Sequence, residues 1–179
     1  MVGDLGGYRY LIVYSSIDTG RIIDCILKFE RKGVWIQFLP CEYVVSRRVV
    51  EISVILAIRD FLRGENIAKK LNLEIALRFF ARTQVSEVIE ILRCTLSQNV
   101  VLVIVCKCEP REVLRELMDS RIVLEVKEQE VEGNIDKILA IYGFDRRAVE
   151  CQSRVRGLDF VETLEKFVLE KMATRFVMK

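Results

Sequence analysis

Apolar and polar positions along this chain follow two periods in turn, one close to 2 and one close to 3.6. Tyr8–Tyr14, YRYLIVY, is an apolar run of strand length. Asp18 can cap a helix after it, with Ile22, Ile23, Ile26 and Leu27 on one face. Gly33 ends that helix, Val34–Leu39 predicts a second strand, and Pro40 closes the strand. Ser46–Leu62 reads as a long helix that is apolar around much of its circumference, the mark of a core helix, and Arg63-Gly64 stops it. A polar connection over residues 65–72 carries Lys69 and Lys70, and Leu73–Phe80 reads as a third strand. Val85, Val88, Ile89 and Leu92 then fall at i, i+3, i+4 and i+7, with Thr83 placed as N-cap. Val100–Cys106, VVLVIVC, is a continuous apolar strand of the kind buried on both faces.

Pro110 suits the first position of a further helix, whose core face is Val113, Leu114, Leu117 and Met118. Ile122–Val126 predicts a short edge strand or an extended connection. Ile135, Ile138, Leu139 and Tyr142 form another helical stripe, and Gly143 supplies its stop. Asp145 can cap a short basic helix. Asp159 and Glu162 have capping-box spacing ahead of a last helix, Phe160 to about Val177. Strands alternating with helices predict an α/β fold: a single domain over 1–179 with a small mixed sheet of about four strands covered by helices. Residues 1–143 would form the α/β core, and 144–179 a C-terminal helical layer.

Composition narrows the chemistry. Hydrophobic residues make up 51% of the 179, enough for a full core, and charged residues 30%. With a net charge of only +2, any nucleic-acid site must be a local basic patch. The chain contains no histidine, which excludes Ser-His-Asp, Cys-His and His-based metal chemistry. Six cysteines in a chain with no signal peptide and no run of 18 apolar residues point to a cytoplasmic protein, a setting in which thiols are usually reduced except in hyperthermophiles. Cys106-Lys107-Cys108 is too tightly spaced for a zinc knuckle and reads as the close of a buried strand. No Walker loop or GxGxxG occurs. Glu125, Glu128, Glu130 and Glu132 lie with Lys127 in a solvated charged stretch that lacks a nucleophile. The expectation is a protein without cofactor, metal, membrane contact or small-molecule substrate of its own, and without catalytic activity.

Two constellations remain. Arg78, Arg82, Lys69 and Lys70 could converge near Gln84, where a helix start offers free N–H groups to anions and arginines bind phosphate or stack on bases. Phe79 and Phe80 would point to opposite sides of a strand, so one could serve as a surface stacking platform. The alternative is a solvated loop with both rings in the core. At the other end, Phe160, Leu164, Phe167, Val168 and Met172 make one apolar stripe, and Val161, Leu169, Phe176 and Val177 widen it. A helix apolar nearly all round is buried on more than one side; this one either covers the sheet alone or also meets a partner.

The stretch Leu73–Leu92, LEIALRFFARTQVSEVIEIL, resembles the kinase-binding small subunit of the KEOPS tRNA-modification complex. The shared pattern is Glu-Ile, an Arg four residues after the Glu, then Gln and a β-branched residue opening a helix: Glu74, Ile75, Arg78, Gln84 and Val85. The order of elements and the Ile141–Gly143 stop extend the likeness. Phe79, Phe80 and Ala81 depart from the small residues usual after the Arg, Arg82-Thr83 from an amide-Arg pair, and Arg93-Cys94 from a glycine. The resemblance implies a non-catalytic accessory subunit of an archaeal-type assembly. It would bind the kinase/ATPase subunit and the 3′ CCA end of tRNA in support of N6-threonylcarbamoyladenosine formation. It assigns Arg78, Arg82, Gln84, Lys69 and Lys70 to RNA, and Leu164, Phe167, Val168, Met172 and Phe176 to the kinase. The competing readings are an unrelated small α/β regulatory or ligand-sensing domain and a cysteine-dependent enzyme.

Overall fold

The computed structural model describes residues 2–95, 97–128 and 133–174, and among these five strands make one sheet: β1 (Val2–Leu5), β2 (Tyr8–Ile17), β3 (Trp35–Pro40), β4 (Asn99–Cys106) and β5 (Val123–Lys127). Every pairing is antiparallel, in the order β1-β2-β4-β3. The outer edge of β2 is shared: Tyr8–Leu11 pairs with β1, and Tyr14–Ile17 with β5. Between those stretches Arg47 reaches in, and its Nη2 donates to the Ile12 carbonyl at 2.9 Å. The hairpin β1–β2 turns on Gly6-Gly7, both with positive φ (58° and 81°), as a two-residue turn of matching twist requires.

Among the described residues eight α-helices pack around the sheet: α1 (Ile22–Glu30), α2 (Arg47–Arg63), α3 (Leu71–Phe79), α4 (Val85–Thr95), α5 (Pro110–Asp119), α6 (Ile135–Tyr142), α7 (Arg146–Arg156) and α8 (Phe160–Thr174). Strand β4 shows why there are two helical layers. Its residues Val101, Val103 and Val105 join the core built by α2, α3, α6, α7 and α8. The alternate residues Leu102, Ile104 and Cys106 join a second core with Cys25 and Phe29 of α1 and Val113 and Leu117 of α5. The all-apolar sequence of β4 thus serves a strand buried on both faces.

Helix boundaries follow local chemistry. Ser46 accepts from the Val49 N–H at the start of α2, and Gly64 ends it in the left-handed region. Pro110 opens α5, Gly143 ends α6, Asp145 caps α7 and Asp159 accepts from the Glu162 N–H before α8. Thr83, expected as the N-cap, falls two positions before Val85, the first residue of α4, leaving Gln84 at its threshold.

Two elements differ from expectation. The segment expected as a third strand, Leu73–Phe80, lies almost wholly in α3. A short apolar run cannot be told from a buried helix by periodicity. Its composition decides: Leu, Ala, Glu and Arg are strong helix formers, and Ile75 is the one β-branched residue. In α1 the buried face is Ile22, Cys25 and Phe29; Ile23 is 75% exposed and Leu27 45%. The aromatic ring of Phe29 and the thiol of Cys25 set the rotation of that helix, since both fit the second core.

Candidate nucleic-acid and partner interfaces

Helix α3 is nearly surrounded by protein, and three of its polar residues are inside. Glu74 is fully buried: one carboxylate oxygen accepts from the N–H groups of Ile67 and Ala68 at 2.9 and 2.8 Å. Its other oxygen accepts from Arg78 Nε at 3.3 Å, one helical turn on. The guanidinium of Arg78 also pairs with Asp60 of α2, itself 2% exposed. Arg59 Nε stands 3.5 Å from the other oxygen of Asp60. Burial pulls the proton affinity of Arg78 down, and Asp60 and Glu74 oppose it. This network ties α2, the 65–70 connection and α3 together. Arg78, expected on a solvated turn, is therefore a core residue 5% exposed. Phe79 and Phe80 are both fully buried, their rings packed edge to face at 4.9 Å, so neither forms a surface platform.

The turn between α3 and α4 is the exposed part of the motif. Ala81 takes a left-handed conformation (φ 49°), and the Arg82 N–H donates back to the Leu77 carbonyl at 3.0 Å, closing α3 in the manner usually reserved for glycine. Arg82 then reaches across to α6: its Nη2 donates to the Ile141 carbonyl at 2.7 Å, and its Nε lies 3.5 Å from Glu87. Thr83 and Gln84 are exposed. A shallow groove of about 390 Å³ opens beside them, lined by Arg82, Glu87, Glu90, Ile91, Cys94 and Ile141 among others.

Lys69 and Lys70 do not join this turn. They precede α3, and nine helical residues put roughly 13 Å of axis between them and Arg82. Lys69 is exposed, whereas Lys70 Nζ pairs with Glu30 at 2.8 Å.

The Ile-Tyr-Gly stop of α6 is a junction. Besides the Arg82 contact at Ile141, the Tyr142 hydroxyl donates to the Phe79 carbonyl and Lys171 of α8 donates to the Tyr142 carbonyl. Cations at a helix C-terminus complement its dipole. Tyr142 stacks on Phe144, which meets Phe167 of α8 edge to face at 5.6 Å. The α3–α4 turn and α8 are thus held to the same helix end.

Within α8, Leu164, Val168 and Met172 are at most 1% exposed and anchor the helix in the core. They are not available to a partner in this conformation, because the stripe they form faces α2 and the neighbouring helices. Phe167 is half-buried, and Val161 is 46% exposed. Phe176 and Val177 lie outside the described residues, as do Glu130 and Glu132 of the charged stretch. Sequence reasoning did not foresee Asp60, Lys171 or the Ile141 carbonyl. Asp60 alone carried a signal, as a carboxylate on the apolar side of a core helix.

Among the described residues no three Cys, Asp or Glu side chains gather as a metal site, and no helix is long and apolar enough to cross a membrane. Burial raises the thiols of Cys25 and Cys41 to about 11 and that of Cys106 to about 12, which makes them poor nucleophiles.

A family model described as kinase binding protein CGI-121 matches residues 21–176. The chain belongs to this family. The match begins just before α1 and takes in every helix, the buried Glu74–Arg78 pair, the Gln84 turn and the α6 stop. No curated protein matches the chain.

Proposed function

We propose that this CGI-121 family protein is the accessory, non-catalytic subunit of a KEOPS-type complex, binding the kinase/ATPase subunit and the 3′ CCA end of tRNA to support N6-threonylcarbamoyladenosine formation. The family match across the whole helical framework carries the reading. The RNA-contacting side chains are Arg82 and Gln84 on the turn, with Lys69 and Lys70 approaching the RNA from the far end of α3. Arg78 acts from beneath: its ion pairs with Asp60 and Glu74 hold α3, and hence the turn, in place. The kinase meets the C-terminal helices through the part of α8 that the core leaves uncovered, around Val161 and Phe167, and through Phe176.

Two measurements test this. Co-purification from the native source should bring down a small kinase. A gel shift, with and without that kinase, should show stronger binding to intact tRNA than to tRNA lacking its 3′ CCA. Absence of a kinase partner together with capture of a small molecule would favour a ligand-sensing domain instead.

A further inference from the structure

Helix α7 carries more positive charge than the ion pairs of the fold use. The whole chain has a net charge of +2. The 11 residues of α7 include Arg146, Arg147, Arg154 and Arg156 against a single carboxylate, Glu150. This one helix is more basic than the protein, and the remainder is slightly acidic. Arg146 is occupied: its Nη2 lies 2.6 Å from Asp136, and its guanidinium sits 5.5 Å from the Phe160 ring centre. Arg147, Arg154 and Arg156 are exposed, and among the described residues none has an ion-pair partner.

Arg147, Cys151 and Arg154 stand at i, i+4 and i+7, so they share one face, opposite the buried Val149. Between the two arginines the exposed residues are short, Ala148 and Cys151, which lets an extended ligand approach closely, with the half-buried Glu150 at the margin of the face. Helix stability explains Arg154 and Arg156, because cations in a last turn complement the dipole. It does not explain Arg147, a cation in the first turn, where the dipole favours anions. Every cation of the helix is arginine, whose planar fork suits phosphate oxygens. The helix also begins beside the proposed RNA turn. Arg82 is hydrogen-bonded to Ile141, and Arg147 follows only six residues later, within about 20 Å of chain reach.

We propose that the Arg147–Cys151–Arg154 face of α7, with Arg156 at its end, binds the phosphodiester backbone of RNA whose terminus meets the Arg82 turn, an inference that rests on the tRNA reading above. The face reads charge and not sequence, so it adds affinity to any RNA long enough to span from the turn.

The test is the full-length variant Arg147→Ala/Arg154→Ala, compared with the unaltered protein for tRNA affinity over a salt series. Affinity should fall on the order of tenfold at low salt, and the log–log salt slope should flatten by about 1.4–1.8 for two lost phosphate contacts. The loss should be equal on intact and CCA-less tRNA, and Arg147→Lys/Arg154→Lys should restore most of the slope. The melting temperature should change little, since both side chains are outside the core and their dipole terms, favourable for Arg154 and unfavourable for Arg147, offset each other. An unaltered protein that fails to bind tRNA at all overturns the functional reading. Normal tRNA binding with unchanged affinity and slope in the alanine variant overturns this inference alone. Unchanged RNA binding with loss of kinase pull-down also overturns it, and marks the face as a protein-docking surface.

Discussion

Arg78 and Arg82 stand one helical turn apart in the same motif, yet the first side chain is 6% exposed between two carboxylates and the second, 23% exposed, bridges to another helix. The comparison separates two jobs that a motif alone merges. A guanidinium with Asp60 and Glu74 for neighbours is part of the scaffold, since removing it strands buried charge. A guanidinium that meets a backbone carbonyl and an exposed glutamate keeps donors facing solvent. Identity and spacing in the chain are the same kind of signal for both; burial tells them apart.

The largest expected effect tests that division directly. Arg78→Ala should destabilise the fold by about 3–5 kcal/mol, because it takes the buried counter-charge from two carboxylates, leaving Asp60 with Arg59 and Glu74 with two backbone N–H groups. Arg82→Ala should cost under about 1 kcal/mol. Urea denaturation of both variants measures the gap, and equal costs would erase the distinction. The second effect is functional. Arg82→Ala/Gln84→Ala should weaken binding of intact tRNA by roughly tenfold, with a flatter salt slope, while leaving the melting temperature in place. If binding is unaffected, the exposed half of the motif is not an RNA contact.

The cysteines extend the contrast between buried and exposed groups to the whole molecule. Cys94, Cys108 and Cys151 are exposed, and Cys25, Cys41 and Cys106 are buried. A thiol reagent near pH 8 should titrate the exposed three in the native protein, and the buried three only after denaturation. Burial raises Cys25 and Cys41 to about 11 from an ordinary value of 9.0. Protonated thiols therefore contribute stability that is complete below about pH 9 and is lost as pH climbs toward 11, because the unfolded chain releases those protons first. A flat stability profile across that range would contradict their burial.

The smallest effect compares one backbone conformation in two environments. Ala81 (φ 49°) and Arg121 (φ 55°) both occupy left-handed positions that close a helix. Arg121 is exposed, so Arg121→Gly should stabilise by roughly 0.5–1 kcal/mol through relief of strain. Ala81 is fully buried, so Ala81→Gly gives the same relief but loses a packed methyl, and the net change should be close to zero. Thermal melts of the two variants resolve the difference.

Much of the fold was legible in the chain because its signals are local. The helix start at Ser46, the caps at Asp145 and Asp159, the stops at Gly64 and Gly143, the proline opening α5 and the apolar run of β4 each act within a few residues, and the structure places all of them as read. The motif Glu74–Val85 likewise led to the family that the match over residues 21–176 establishes. The candidate site was less legible. Phe79 and Phe80 read equally well as platform or core, and only the packing of α3 against its neighbours put both inside.

By itself, then, the sequence determined where most of the helices begin and end, that one strand must be covered on both faces, which family the chain belongs to, and that histidine chemistry is absent. Tertiary structure alone decided that Arg78 turns inward to Asp60, and that Lys69 and Lys70 stand a helix length away from Arg82. It also decided that Leu164, Val168 and Met172 belong to the core. The physical reason is that capping, chirality and turn preference are settled by neighbours in the chain. The fate of a charge or an apolar face is settled by whichever partner, dozens of residues away, comes to lie against it.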